Sequence, residues 1–255
     1  MDPVELGVDI QWQPNDITCG PTCLHAVYRF FADPVSLEEV VASARALPGE
    51  QLGRGTLAVM LGIDALRRGY TAHLITFNLQ VFDPTWFDRT TGEADEHLVS
   101  ARLTEQLAAK RSLGPKFALA TEAYLEFLSL GGTIATQDLT ISLLARYLTK
   151  GLPILTGLSS TYLYKCAREY GDNDDYDDVR GMPQGHFVIL HGLNRARRLV
   201  SVADPLGDNP GFGAADYKVP MSRLTCAILL GVLTYDGNLL VIEPKSGHIL
   251  KEHSA

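Results

Sequence analysis

The apolar pattern of this chain changes period at Gly151, and that change limits the folds open to it. Upstream, apolar residues recur three and four positions apart. Leu24, Val27, Tyr28 and Phe31 mark one face of a helix, and Leu57, Leu61 and Leu66 mark another over about 56–69, closed by Gly69. Ser36 and Glu39 form a capping box that opens a second helix with Leu37, Val40, Val41 and Ala44 inward. Further helices are predicted over about 97–112, 115–129 and 136–150, a strand over 70–77, and a long loop over 78–96. Downstream of Gly151 come short apolar runs, 152–158, 186–193, 199–203 and 239–243, broken by Gly, Asn and Asp as strands and turns require. The run 226–233 fits a helix or a strand; a helix within 220–235 is preferred, although Asp236-Gly237 would suit a hairpin. The expectation is one α+β domain over 1–255, mainly helical to about 150 and mainly sheet beyond.

At 255 residues the chain can bury a sizeable core without disulfides or metal, and 46% hydrophobic with 20% charged residues is ordinary for a folded protein. The 22 basic and 30 acidic side chains leave a formal charge of −8, which provides no basic field for phosphates and speaks against a nucleic-acid partner. No run reaches the roughly 18 apolar residues of a membrane span. Met1 to Gln11 lack the basic-then-apolar order of an export signal, so a cytoplasmic protein without a membrane partner is expected. Cys19, Cys23, Cys166 and Cys226 are too few and scattered for a disulfide framework and lack zinc-ligand spacing. They are read as reduced thiols, with no metal or other cofactor.

Cys19 is followed by Gly20 and Pro21. Proline suits a first helical turn because its missing N–H has no partner there, which puts Cys19 at or next to the helix N-terminus. The helix dipole, or a neighbouring imidazolium, favours the thiolate, the form that attacks. By itself a Cys-Gly pair can do no more than cap a buried turn. His186 opens an apolar run, and Gly185 before it leaves room for a substrate or another backbone. Asp204, eighteen residues on, ends the run 199–203 just before Pro205. Antiparallel pairing of the two runs would bring its carboxylate to the imidazole, where it fixes the tautomer and stabilises the imidazolium. A purely structural, hydrogen-bonded histidine is the alternative.

Gln13, six residues before Cys19, can fold back and donate to a developing oxyanion together with the Cys19 backbone N–H; Gln11 is a weaker competitor. Cys23, one turn beyond Cys19 on the same face, reads as core. Six carboxylates lie between Glu169 and Asp178 without the spacing of a calcium loop. They form either a solvated loop or, beside the cleft, a site where Asp174, Asp175, Asp177 and Asp178 recognise a basic peptide segment.

In order, Gln13, Cys19-Gly20, Gly185-His186-Phe187-Val188 and Asp204-Pro205 resemble the signature of the bacteriocin-processing, double-glycine leader peptidases. These are family thirty-nine of the cysteine peptidases and belong to the papain-like superfamily. Gly55-Thr56 ahead of Arg67-Arg68-Gly69-Tyr70, and Lys150-Gly151-Leu152-Pro153-Ile154, resemble its connecting segments, so the resemblance covers most of the chain. It implies a papain-like α+β fold, with a cleft between a helical half carrying Cys19 and a sheet half carrying His186 and Asp204. It further implies Cys19 as nucleophile, His186 as general base, Asp204 as orienting acid and Gln13 as oxyanion donor, working on a peptide or protein substrate through an acyl-enzyme. An acyl-transferase or transpeptidase on the same site, as in the related phytochelatin synthases, and a non-catalytic peptide-binding module are the alternatives. Unlike the transporter-linked members, the sequence includes no membrane or ATP-hydrolysing domain, and 78–130 looks like an insertion.

Overall fold

The structure, a computed structural model, describes residues 3–44, 55–171, 173–235 and 237–245. The first part of the chain forms β1 (Val4–Glu5), α1 (Cys19–Phe30), α2 (Leu37–Ser43), α3 (Ala58–Arg67), β2 (Tyr70–Thr76), α4 (Glu96–Ala109) and α5 (Pro115–Ser129). Next come β3 (Thr133–Ala135), α6 (Ile141–Leu148), β4 (Ile154–Ser159), α7 (Ser160–Tyr164) and the short strands β5 (Glu169–Tyr170) and β6 (Asp175–Tyr176). The chain then forms β7 (Gly185–Asn194), β8 (Leu199–Ala203), β9 (Asp216–Pro220), α8 (Met221–Leu230) and β10 (Asn238–Pro244).

One sheet organises the molecule, in the order β3-β2-β10-β4-β7-β8-β9, with β1 paired to β7 beyond the end of β4. Its pairings are antiparallel except β2 with β3. A parallel pair needs a crossover, and the segment containing α4 and α5 supplies it. β7 is buried on both faces. Phe187 and Ile189 join a core with α1, α3 and α5, while Val188 and Leu190 join a second core with α6 and α8. The unbroken apolar run seen in the sequence is what a central, doubly covered strand requires.

The segment expected to be an insertion is locked onto the body. Phe127 of α5 is fully buried against α3, where a Cβ on Gly62 would come within 2.6 Å of its ring. The stretch expected as a long loop is anchored as well. Phe82 packs edge-on to Tyr124 at 4.7 Å, Gln106 donates to the Val81 carbonyl, and Asp83 caps a 3-10 turn at Pro84–Trp86. Apolar residues spaced among Asp, Thr and Pro hold it without periodicity.

The expected capping box is present: Ser36 Oγ accepts from the Glu39 N–H at 3.2 Å and the Glu39 carboxylate accepts from the Ser36 N–H at 2.9 Å. The helix expected over 136–150 runs only from Ile141 to Leu148, because Thr140 accepts from the Leu143 N–H and caps its start there. Residues 221–230 are helical, as preferred, and Asp236 lies outside the described residues. β9 escapes sequence reading because only Tyr217 and Val219 mark its buried face. Since β2 and β3 belong to the same sheet as the later strands, the boundary near 150 divides composition, not layers.

Candidate active site

The site begins with how α1 starts. Thr18 Oγ1 donates to the Asn15 carbonyl at 3.0 Å, and Asn15 Oδ1 accepts from the Ile17 N–H at 3.1 Å, so a tight turn leads into Cys19. Gly20 lets this helix end press into the body. A Cβ there would meet Thr56 Cγ2 at 2.6 Å and the Phe187 ring at 3.2 Å. One turn on, the Cys23 thiol donates to the Phe187 carbonyl at 3.3 Å. Burial, then the neighbouring Cys19 and Asp204, push the Cys23 thiol well above its usual range, so it stays a protonated core donor. The Cys23 bond to Phe187, with the close approach that Gly20 allows, seats Cys19 beside the next residue back along β7, His186.

His186 lies opposite Leu158 of β4, and Asp204 follows the last residue of β8, Ala203, which pairs with Ile189. His186 Nε2 is 2.8 Å from Asp204 Oδ1, and Cys19 lies close enough to the same imidazole to help raise its pKa. With Nε2 engaged by Asp204, Nδ1 is the nitrogen left for sulfur. Burial alone would lower the imidazolium pKa, but the Asp204 charge and hydrogen bond, with Cys19, push it up to about 10.

Asp204 is fully buried and fully bonded. Oδ1 also accepts from the Leu206 N–H at 2.9 Å, and Oδ2 accepts from the Tyr164 hydroxyl at 2.8 Å and the Tyr217 hydroxyl at 2.7 Å. A carboxylate offers about four lone-pair sites, and four donors meet them. Burial would raise this carboxyl, but His186 first, then the Leu206 N–H and Tyr217, hold it below the usual carboxylate range. Cys19 and His186 open on a cleft of about 960 Å³ that Gln13, Tyr164, Gln184 and Gly185 also line.

A family model described as Peptidase_C39 like family matches residues 5–223. The chain belongs to the Peptidase_C39-like family. A solved structure described as a C39-like peptidase from Bacillus anthracis is 14% identical, with 96% of this chain and 100% of that chain covered and a TM-score of 0.52. A double glycine motif protease from an AMS/PCAT transporter in complex with the leader peptide is 14% identical over 96% and 99% of the two chains, TM-score 0.41. Xylellain, a cysteine protease from Xylella fastidiosa, is 14% identical over 96% and 86%, TM-score 0.38. No curated protein matches the chain. Family and fold make this a papain-like, cysteine peptidase-like hydrolase.

In this C39-like chain Gln13 faces the cleft, and its backbone N–H donates to the Pro205 carbonyl at 3.0 Å, joining the turn before Cys19 to the residue after Asp204. Its side-chain Nε2 donates to the Asn15 carbonyl at 3.0 Å, while Oε1 is buried without a partner. Gly185 pairs with Ser159 and lines the cleft. Among the described residues, no group of three His, Cys, Asp or Glu side chains could hold a metal ion, and no helix is long and apolar enough to cross a membrane.

The acidic segment carries the paired strands β5 and β6, and its carboxylates do not share one location. Asp174 lines the cleft, with Glu169 and Asp16, whereas Asp175, Asp177 and Asp178 do not. Asp177 serves its own loop: Oδ1 accepts from the Val179 and Arg180 N–H groups, and Oδ2 pairs with the Arg180 guanidinium at 2.6 Å. Asp172 lies outside the described residues. Burial, then Asp174 and Asp16, raise the Glu169 carboxyl, and His186 pulls the other way.

Four contributors had no signal in the sequence. Asp16 sits in the turn before Cys19. Tyr164 ends the five-residue α7, and Tyr217 lies on β9; both find Asp204 only through the fold. Lys116 of α5 also reaches the cleft wall, so the segment expected as an insertion takes part in shaping the site.

Proposed function

We propose that the protein cleaves a peptide or amide bond by attack of the Cys19 thiolate, with His186 as general acid and base and Asp204 as its orienting carboxylate. The observation that carries the reading is the buried His186, held between Cys19 and Asp204. A thiol attacks as the thiolate, and the neighbouring imidazole is the group placed to take its proton. Sulfur adds to the scissile carbonyl, and the developing oxyanion meets N–H groups at the start of α1, which have no acceptor within the helix. Gln13 lines the same cleft, and its amide, released from the Asn15 carbonyl, would supply a second N–H donor. His186 Nδ1 then passes its proton to the leaving amine, the C–N bond breaks, and an acyl-enzyme forms on Cys19. Water, losing a proton to His186, releases the acid and restores the thiolate.

The substrate class we infer is a peptide with a basic segment, because Glu169, Asp174 and Asp16 put three carboxylates on the cleft wall of a chain with formal charge −8. With all four cysteines free, we infer a reducing compartment such as the cytoplasm. Profiling a peptide library with wild type and Cys19→Ala tests the reading. Cleavage by wild type alone, enriched for Lys and Arg near the scissile bond, is expected. Equal cleavage by Cys19→Ala, or a library left intact by wild type, overturns it; added amine separates hydrolysis from transfer.

A further inference from the structure

Two buried phenols that the acyl-transfer steps do not use converge on Asp204. Tyr164 and Tyr217 come from α7 and β9, 40 and 13 residues away from the carboxylate in the chain, and both donate to Oδ2. The loop after Asp204 holds them in place. Phe212 stacks on Tyr217 with ring centroids 3.8 Å apart and 6° between planes, and meets Tyr164 edge-on at 6.5 Å. The Phe212 N–H donates to Asn209 Oδ1, while Asn209 Nδ2 donates to the Leu206 and Ala214 carbonyls, so this prop is itself tied down.

We propose that Tyr164 and Tyr217 are positioning residues: they hold the outer oxygen of Asp204 so that Oδ1 stays on His186 Nε2 and the carboxylate stays ionised. The inference rests on the Cys19, His186 and Asp204 reading given above. A carboxylate can turn about its Cβ–Cγ bond, and bonds on Oδ1 alone leave Oδ2 buried and unpaired. An ionised oxygen in that state is costly, and the group relieves the cost by taking a proton. A neutral carboxyl no longer stabilises the imidazolium, and His186 would lose its proton more readily. Burial, then the Asp204 charge, drive both phenols up, so they remain donors through neutral and alkaline pH. The other titratable groups facing the pair are Cys19 and Cys23 of α1 and Glu169 of β5.

The test needs no substrate. The His186 imidazole is titrated by NMR in the full chain as wild type, Tyr164→Phe, Tyr217→Phe, the double variant and Asp204→Asn. Each single variant should lower the His186 midpoint by about one unit and keep a cooperative melt; the double variant should shift further. A midpoint unchanged in the tyrosine variants but lowered by Asp204→Asn would show that the phenols only pack, and the inference fails alone. A midpoint unmoved by Asp204→Asn would instead remove the triad reading, and the inference with it. If the double variant does not fold, the single variants decide by the same criterion.

Discussion

His186 Nε2 and Asp204 Oδ1 stand 2.8 Å apart with the histidine side chain 7% exposed and the aspartate side chain 0% exposed, so the pair is almost wholly removed from solvent. A pair so enclosed joins the ionisation of the site to the stability of the fold.

The first expected outcome is a slope of stability against pH. His186 is raised from 6.5 to about 10 in the folded protein, so its contribution is complete below pH 6.5 and is lost as pH rises towards 10. Asp204 is lowered from 3.8, so its contribution is present above that value and disappears as pH falls through the folded one. Urea unfolding of wild type should therefore show stability falling between pH 6.5 and 10, and His186→Ala should flatten that fall. Parallel curves for the two proteins would mean that the folded imidazole is not held charged.

Asp204→Asn removes the charge and puts an NH₂ group where one carboxylate oxygen accepts. Either His186 or the two phenols then face a donor, a mismatch worth about 1.5–3 kcal/mol of stability. Turnover should drop about 10²- to 10⁴-fold, as when an imidazole loses the carboxylate that sets its tautomer. Steady-state kinetics beside a thermal melt check both effects, and wild-type turnover in a folded variant would take Asp204 out of the mechanism.

Gly20→Ala puts a methyl group 2.6 Å from Thr56 Cγ2, which is closer than packed carbons tolerate. The helix end carrying Cys19 has to move or strain, at a cost of about 1–3 kcal/mol, with loss of activity. Thr56→Ser deletes the opposing methyl and should restore part of both. If the double variant is no better than Gly20→Ala, the contact is not what limits residue 20.

Neutralising Glu169 and Asp174 together, as Glu169→Gln and Asp174→Asn, should raise KM for a basic peptide several-fold and flatten its dependence on salt between about 50 and 500 mM, with kcat little changed. Asp177→Asn should leave KM alone, because that carboxylate is committed to Arg180 and its own turn. The same KM shift from Asp177→Asn as from the Glu169 and Asp174 pair would point to diffuse loop charge in place of a cleft subsite.

Much of the site is legible in sequence because its parts carry local marks. Pro21 marks a helix start at Cys19, the run after His186 marks a central strand, and Asp204-Pro205 marks the end of another. The division of the acidic segment is not legible. Asp174 and Asp177 are chemically alike and three residues apart; one lines the cleft and the other closes a turn through Arg180. Gln13 lines the cleft, yet nothing local shows that its amide bonds back to Asn15.

The sequence by itself determined the helix that begins at Cys19, the capping box at Ser36, the strand after Gly185 and the helix within 220–235, because periodicity, caps and turn residues act between neighbours a few positions apart. Only the tertiary structure decided that β2 and β3 complete the sheet, which carboxylates face the cleft, and that Tyr164 and Tyr217 hold Asp204. Those outcomes depend on pairings across tens of residues. A phenol seeking a buried carboxylate leaves no periodic trace in the chain, so the partner is fixed only when packing of the two cores closes the space around it.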